Sequence, residues 1–260
     1  GRDLQDALDV PIGLLSINWG GTRIEPWISR ASLEHHPRSH DHMEALGTKQ
    51  DEWRNLKPED VERKQAELRA AHARNTASYL DRQLATDPGA SEQWFKPTLD
   101  TSSWQRTALP REWRSIDPSL KNFDGGVWFR KTVELPASFM GAELMLTLGA
   151  IDDSDIVWFN GVRVGSLAEA HSIPRSYTIK GPLVKGATAS IVVLAIDSGG
   201  VGGLTGPAAA MNLNRADDKE TNATAISLSG EWLWKQGSAH NGARPGPAPW
   251  PARQRRSGSG

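Results

Sequence analysis

The period of the apolar positions changes along the chain, and each change marks a different element. Residues 3–9, DLQDALD, place Leu4, Ala7 and Leu8 at helical spacing, and VPIGLLSIN follows as an apolar run of strand length. Helix, tight turn and a strand apolar on both faces predict an α/β segment, because such strands belong in parallel sheets covered by helices. WGGTRIEPW runs next, from Trp19 to Trp27. Paired glycines at the carboxyl end of a buried strand let the backbone turn sharply and bring its N–H groups close to a ligand. From Arg30 to Asn55 the text is polar without a clear period and reads as a solvated loop. Pro58 suits a first helical turn, and Glu59, Asp60 and Glu62 complement the positive end of the dipole, predicting a helix to about Leu84. Its narrow apolar stripe, Val61, Leu68, Tyr79, Leu80 and Leu84, reads as a docking face or strut.

After Asp87-Pro88-Gly89 the period falls towards two. Short strands divided by turn residues are predicted at 127–135, 143–149, 155–160, 162–166, 176–180, 189–197, 208–214, 225–228 and 231–235. Val127, Phe129, Lys131, Val133 and Leu135 share one face, which predicts half-buried antiparallel strands. Asn160-Gly161 is a strong hairpin signal, since both central residues of such a turn need positive φ. The sum is a mainly β chain, a jelly-roll sandwich preceded by a partial α/β segment; no repeat of propeller-blade length is visible.

Composition narrows the function classes. The 260 residues carry 30 Lys and Arg against 31 Asp and Glu, a formal net charge of -1, so there is no basic field to hold a nucleic acid or an anionic membrane. No apolar run reaches the roughly 20 residues of a membrane helix. The absence of cysteine excludes thiolate catalysis and disulfide scaffolds. Four imidazoles, His35, His36, His40 and His42, lie close together around Asp41, yet they lack the fixed pairing of a metal site, so no metal or other cofactor is assigned. Tryptophan is in excess, 11 against 2 Tyr and 5 Phe, which suits packed sheets and also the faces on which sugar rings stack. The stretch from Ala243 onward, rich in Pro, Gly and Arg, is expected to be disordered.

Two resemblances rest on these segments. GGVWFRKTVELP, LMLTLGAIDDSDIVWFNGVRVGS, IPRSYTI and IVVLAID with SGGVGG together resemble the sugar-binding jelly-roll domain of β-galactosidase and β-glucuronidase type enzymes, over about Glu92 to Lys235. PIGLLSINWGGTRIEPWIS, Pro11 to Ser29, resembles the sialate O-acetylesterase family, whose flavodoxin-like SGNH hydrolase domain often carries such a jelly roll inserted after this motif. The resemblance implies a Ser-His-Asp hydrolysis of O-acetyl esters on sialic acid or other acetylated sugars, an extracellular or periplasmic location, and an acetylated carbohydrate as partner. It maps oxyanion-hole donors onto Gly20 and Gly21, and a pocket floor onto Thr22, Glu25 and Trp27. Turn formation, helix capping and core packing are the competing roles for these residues.

The family's Gly-Gln-Ser-Asn and Asp-x-x-His motifs do not occur in the sequence, and a serine esterase needs that nucleophile and base. The expected organisation is therefore a partial SGNH domain over residues 1–30, a loop and helical linker over 31–86, the sandwich over 87–240 and a tail over 241–260, with the remainder of the catalytic domain as a missing partner. The alternative is a non-catalytic carbohydrate-binding or structural sandwich. For sugar contact the candidates are the turn carboxylates Asp152, Asp153 and Asp155 with Trp158, and further stacking faces are Trp94, Trp104, Trp113 and Trp128. Core packing and side-chain-to-backbone turn bonds are the rival roles.

Overall fold

The computed structural model describes residues 2–10, 27–37, 39–218, 225–240 and 242. The chain divides into two compact units, Gly1–Lys64 and Gln65–Gly260.

The first unit is helical among its described residues, with α1 at Arg2–Leu8, α2 at Arg30–His35 and α3 at His40–Arg54. The expected loop over 30–55 is thus two helices. The Ser29 hydroxyl accepts from the Ser32 N–H and caps α2, and ion pairs one turn apart, Arg30 with Glu34 and Arg54 with Asp51, stand where an apolar stripe would otherwise signal a helix. His35 Nδ1 lies 2.6 Å from the Ala31 carbonyl and His40 Nδ1 3.0 Å from that of Glu34, so these rings serve backbone oxygens. The strand expected between Val10 and Asn18 falls almost wholly outside the described residues.

Helix α4, Pro58–Ala85, has Tyr79, Leu80 and Gln83 buried near its end. It leads through α5, Pro88–Ser91, into the strands, twelve among the described residues: β1 Gln105–Leu109, β2 Arg111–Glu112, β3 Gly125–Glu134, β4 Leu144–Asp152, β5 Ser154–Phe159, β6 Val162–Leu167, β7 Pro174–Ile179, β8 Thr188–Asp197, β9 Gly203–Leu204, β10 Met211–Arg215, β11 Ile226–Ser227 and β12 Gly230–Ala239. One sheet runs β1-β12-β3-β8-β5-β6. The other runs β11-β10-β4-β9-β2, with β7 also paired to β4. All pairings are antiparallel, and the chain crosses repeatedly between the sheets, giving the mainly β sandwich that the alternating segments predict. At the β5–β6 hairpin Asn160 and Gly161 have φ of 49° and 81°, the left-handed pair that this two-residue turn requires.

Strands β3, β5 and β8 of the first sheet send alternate residues to two cores. Val127, Phe129, Val157, Phe159, Ile191 and Val193 face the other sheet, while Trp128, Ile156, Trp158, Val192, Leu194 and Ile196 point outward into a second apolar cluster. That second cluster is completed by Tyr79, Leu80, Trp94 and Trp104. The central strands are consequently buried on both faces instead of one, because the end of α4 and the segment after it lie over the sheet. Asp87 fastens this layer. Its carboxylate accepts from Gly89 N–H at 2.7 Å, Trp128 Nε1–H at 2.8 Å and Ser238 N–H at 2.8 Å.

Candidate functional site

The acidic turn joining β4 to β5 meets the end of β8 at one edge of the sandwich. Strand β4 ends on Asp152, β5 begins at Ser154, and β8 ends on Asp197, followed by Ser198 and a glycine-rich loop. Pairing of Ser154 with Ile196 holds the two ends side by side, and the Asp153 N–H donates to the Ile196 carbonyl at 3.0 Å.

The carboxylates have different work. Asp153 accepts from both the N–H and the hydroxyl of Ser198, at 3.1 and 2.7 Å, so it closes the loop onto the turn. Asp152 is half-buried and accepts the Gly202 N–H at 3.3 Å. Asp197 is fully buried, accepts the Gly199 N–H at 2.9 Å through Oδ1, and leaves Oδ2 without a hydrogen-bond partner. A Cβ placed on Gly200 would lie 3.6 Å from Asp152 Oδ2 and 3.7 Å from Asp197 Oδ1, so both carboxylates face the same loop residue. Burial, and then the neighbouring Asp153, raises the pKa of Asp152. Burial is also the largest cause at Asp197, pushed up to about 7, with the charges of Asp153, Asp152 and Asp124 adding to it against the Gly199 N–H. A carboxyl group held protonated by burial can donate as well as accept a hydrogen bond, and of this pair only the half-buried Asp152 is open to a ligand.

Asp155 plays no part at this surface, contrary to its expected role in sugar contact. It is fully buried, accepts Arg175 Nε–H at 2.5 Å and is hydrogen-bonded by the Tyr177 hydroxyl. Arg175 spends its other donors on the carbonyls of Ile151, Asp153, Ala170 and Ile173. Trp158 is likewise corrected to a core residue, stacked on Trp128 with centroids 5.1 Å apart and on Phe95 at 5.4 Å. Trp94, Trp104, Trp113 and Trp128 are all buried and offer no stacking face. Trp27 is 42% exposed, and Gly20, Gly21, Thr22 and Glu25 lie outside the described residues.

Sequence reasoning missed Asp197, Ser198 and Gly202. The available signal was local: an aspartate ending an apolar strand, followed by serine and four glycines within six residues. Among the described residues no group of three or more His, Asp or Glu is placed to hold a metal ion, and no helix is long and apolar enough to cross a membrane.

No protein-family model matches the chain. It is 33% identical over 81 residues to a β-glucuronidase of Paenibacillus borealis, covering 30% of this chain and 13% of that protein. It is 59% identical over 34 residues to the sialate O-acetylesterases of Mus musculus and Rattus norvegicus, covering 13% of this chain and 6% of each. The matched part therefore spans only a small fraction of these relatives. Among solved structures it is similar to a β-glucuronidase from Ruminococcus gnavus, with 17% identity, 56% of this chain and 26% of that chain covered and a TM-score of 0.38. A β-glucuronidase from Faecalibacterium prausnitzii gives 25% identity, 41% and 18% coverage and a TM-score of 0.36.

Proposed function

We propose that this chain is a portion of a carbohydrate esterase of sialate O-acetylesterase type, in which the sandwich is a non-catalytic accessory module. The nucleophile and the acid–base pair come from a remainder of the hydrolase domain, which acts as the chain's partner. The observation that carries the reading is the 59% identity over 34 residues to two sialate O-acetylesterases, together with the Pro11 to Ser29 pattern. In this reading Gly20 and Gly21 supply oxyanion donors, Thr22, Glu25 and Trp27 shape the pocket, and acetylated carbohydrate is the substrate class, met outside the cell or in the periplasm.

The isolated chain is expected to give no turnover of p-nitrophenyl acetate or O-acetylated sialic acid, because oxyanion donors cannot replace an absent nucleophile. Adjoining genomic sequence is expected to encode Gly-Gln-Ser-Asn upstream and Asp-x-x-His downstream. Unrelated flanking sequence overturns the assignment to an esterase, and turnover abolished by a serine-directed phosphonate overturns the non-catalytic role.

A second reading, carbohydrate binding by the sandwich itself, is favoured by the half-buried Asp152 beside Asp197. Calorimetric titration with a panel of neutral oligosaccharides tests it: heat of binding lost on Asp152→Ala supports the reading, and a flat response across the panel removes it.

A further inference from the structure

The loop after β8 is tied down at both ends and lightly held between them. At its start Ser198 is fixed by Asp153, which accepts its N–H at 3.1 Å and its hydroxyl at 2.7 Å. At the far end the Gly202 N–H donates to Asp152 at 3.3 Å, the Gly202 carbonyl accepts the Trp113 N–H at 3.1 Å, and Gly203 pairs with both Glu112 and Asp152. A Cβ on Gly202, whose φ is 62°, would fall 2.1 Å from the Trp113 ring, so this end is closely packed. Between the anchors lie Gly199, Gly200 and Val201. Among the described residues their hydrogen bonding consists of the Gly199 N–H donated to Asp197 at 2.9 Å. Gly199, with φ 140°, and Gly202 give this short segment a pivot on each side.

Against this segment sits Asp197, fully buried although Gly199 and Gly200 are exposed. Its Oδ2 has no hydrogen-bond partner, and the groups whose charge reaches it are all acidic: Asp153 and Asp152 from the β4–β5 turn, and Asp124 from the segment before β3. From the loop before β7, His171 faces Asp152 and Glu169 lies 3.4 Å from the Ser198 hydroxyl. A buried oxygen without a partner costs far more when ionised than when protonated, and water reaching it removes most of that cost. Lifting residues 199–201 breaks one hydrogen bond and admits water. Ionisation of Asp197 and displacement of the segment therefore favour each other.

We propose that residues 199–201 are a proton-controlled flap, closed while Asp197 carries a proton and opened by its ionisation. Open, the flap sets Asp197 beside Asp152 as a second carboxylate acceptor at this edge, so a ligand presenting two hydroxyls finds a paired site more readily as the pH rises. The flap stands on the loop geometry; that it gates a sugar site rests on the second reading above, binding at Asp152.

Amide hydrogen exchange of the full chain, followed by NMR from about pH 4.5 to about pH 7.5 and referred to the intrinsic rate at each pH, tests the proposal. The Gly199 N–H reports on the flap, and the Val193 N–H, in the middle of β8, reports on the sheet. The closed form holds its proton to about pH 7 and the open form releases it in the ordinary carboxylate range, so Gly199 protection is expected to fall roughly ten- to hundredfold across this interval. It should also stay well below that of Val193 throughout, the mark of a local opening. In Asp197→Asn, which keeps the Oδ1 acceptor and cannot ionise, Gly199 protection should be level with pH. Protection independent of pH in the parent, Gly199 exchanging no faster than Val193, or an unchanged pH dependence in Asp197→Asn each overturns the proposal. The readout needs no ligand. A moving flap with a flat response across the oligosaccharide panel removes the carbohydrate reading and leaves the flap, and heat of binding with a pH-independent Gly199 does the reverse.

Discussion

Asp155 and Arg175 form an ion pair, Nε to Oδ1 2.5 Å, with both side chains fully buried. The arginine also gathers four backbone carbonyls, from the end of β4, the turn after it and the loop that leads into β7. Arg175→Met should destabilise the sandwich by about 3–5 kcal/mol, because it leaves a carboxylate and several carbonyls buried without donors. Asp155→Asn, which keeps the shape and an acceptor, should lose markedly less. Urea denaturation of the two variants checks the order; equal losses would show that the carboxylate's charge, not its shape, is what the site requires.

Asp197 gives a stability profile with a definite sign. Its folded-state pKa is pushed up to about 7 from 3.8, so the folded chain holds a proton that the unfolded chain has already released. Stability contributed by this group is full below about pH 4, falls as the pH rises towards 7, and is level above that. The whole effect is of order 1–3 kcal/mol. Asp197→Asn mimics the protonated form, so the difference between variant and parent should widen between pH 5 and pH 8 in favour of the variant. Thermal melts across that interval test it; a constant difference would place the titration elsewhere.

Removing Asp87 should loosen the helical layer from the sheet. Three donors, from Gly89, Trp128 and Ser238, lose their acceptor in Asp87→Ala, at a cost of about 3–5 kcal/mol given that one of them is a buried indole. Hydrogen exchange should rise first along residues 79–95 and only later in β3 and β8. Uniform acceleration throughout the sandwich would mean that the layer and the sheet open as one.

Gly165 on β6 lies under the Tyr177 ring, where an added Cβ would come within 2.0 Å of Cδ1. Gly165→Ala should therefore push the tyrosine off Asp155 and destabilise by roughly 1–3 kcal/mol. In the Tyr177→Leu background the same alanine should be less costly, because the ring it meets is gone. A double-mutant cycle reads this coupling; strict additivity would separate the two sites.

Much of this architecture is legible in the apolar period. The strands at 127–135, 155–160 and 189–197 alternate or run apolar, and Asn160-Gly161 announces its turn. What the period conceals is the outer layer. Trp128 and Trp158 were ambiguous between sugar stacking and packing because alternation reports which residues share a face, not what covers that face. Their burial depends on Tyr79, Leu80 and Trp94, which are distant in sequence and sparse on a mostly charged helix. The short strands β1, β2 and β9 lack a pattern long enough to register. At the acidic turn the cluster Asp152 to Asp155 marks the location, yet the roles of its members follow from Arg175 and Ser198, partners that only the folded register supplies. The helices at 30–54 escape the reading because charge pairs and a serine cap, not an apolar stripe, define them.

The double burial of β3, β5 and β8 decides where the sandwich can be separated from what precedes it. A cut at 86/87 removes Tyr79 and Leu80 and uncovers part of an apolar surface built on Ile156, Val192, Leu194 and two indoles. Fragments begun there would expose an adhesive face and self-associate, as large bare apolar patches do. The compact unit that holds the sandwich begins inside α4, at Gln65, and the last turns of that helix are a fixed lid of the β-domain, so a fragment meant to stay monomeric should keep them.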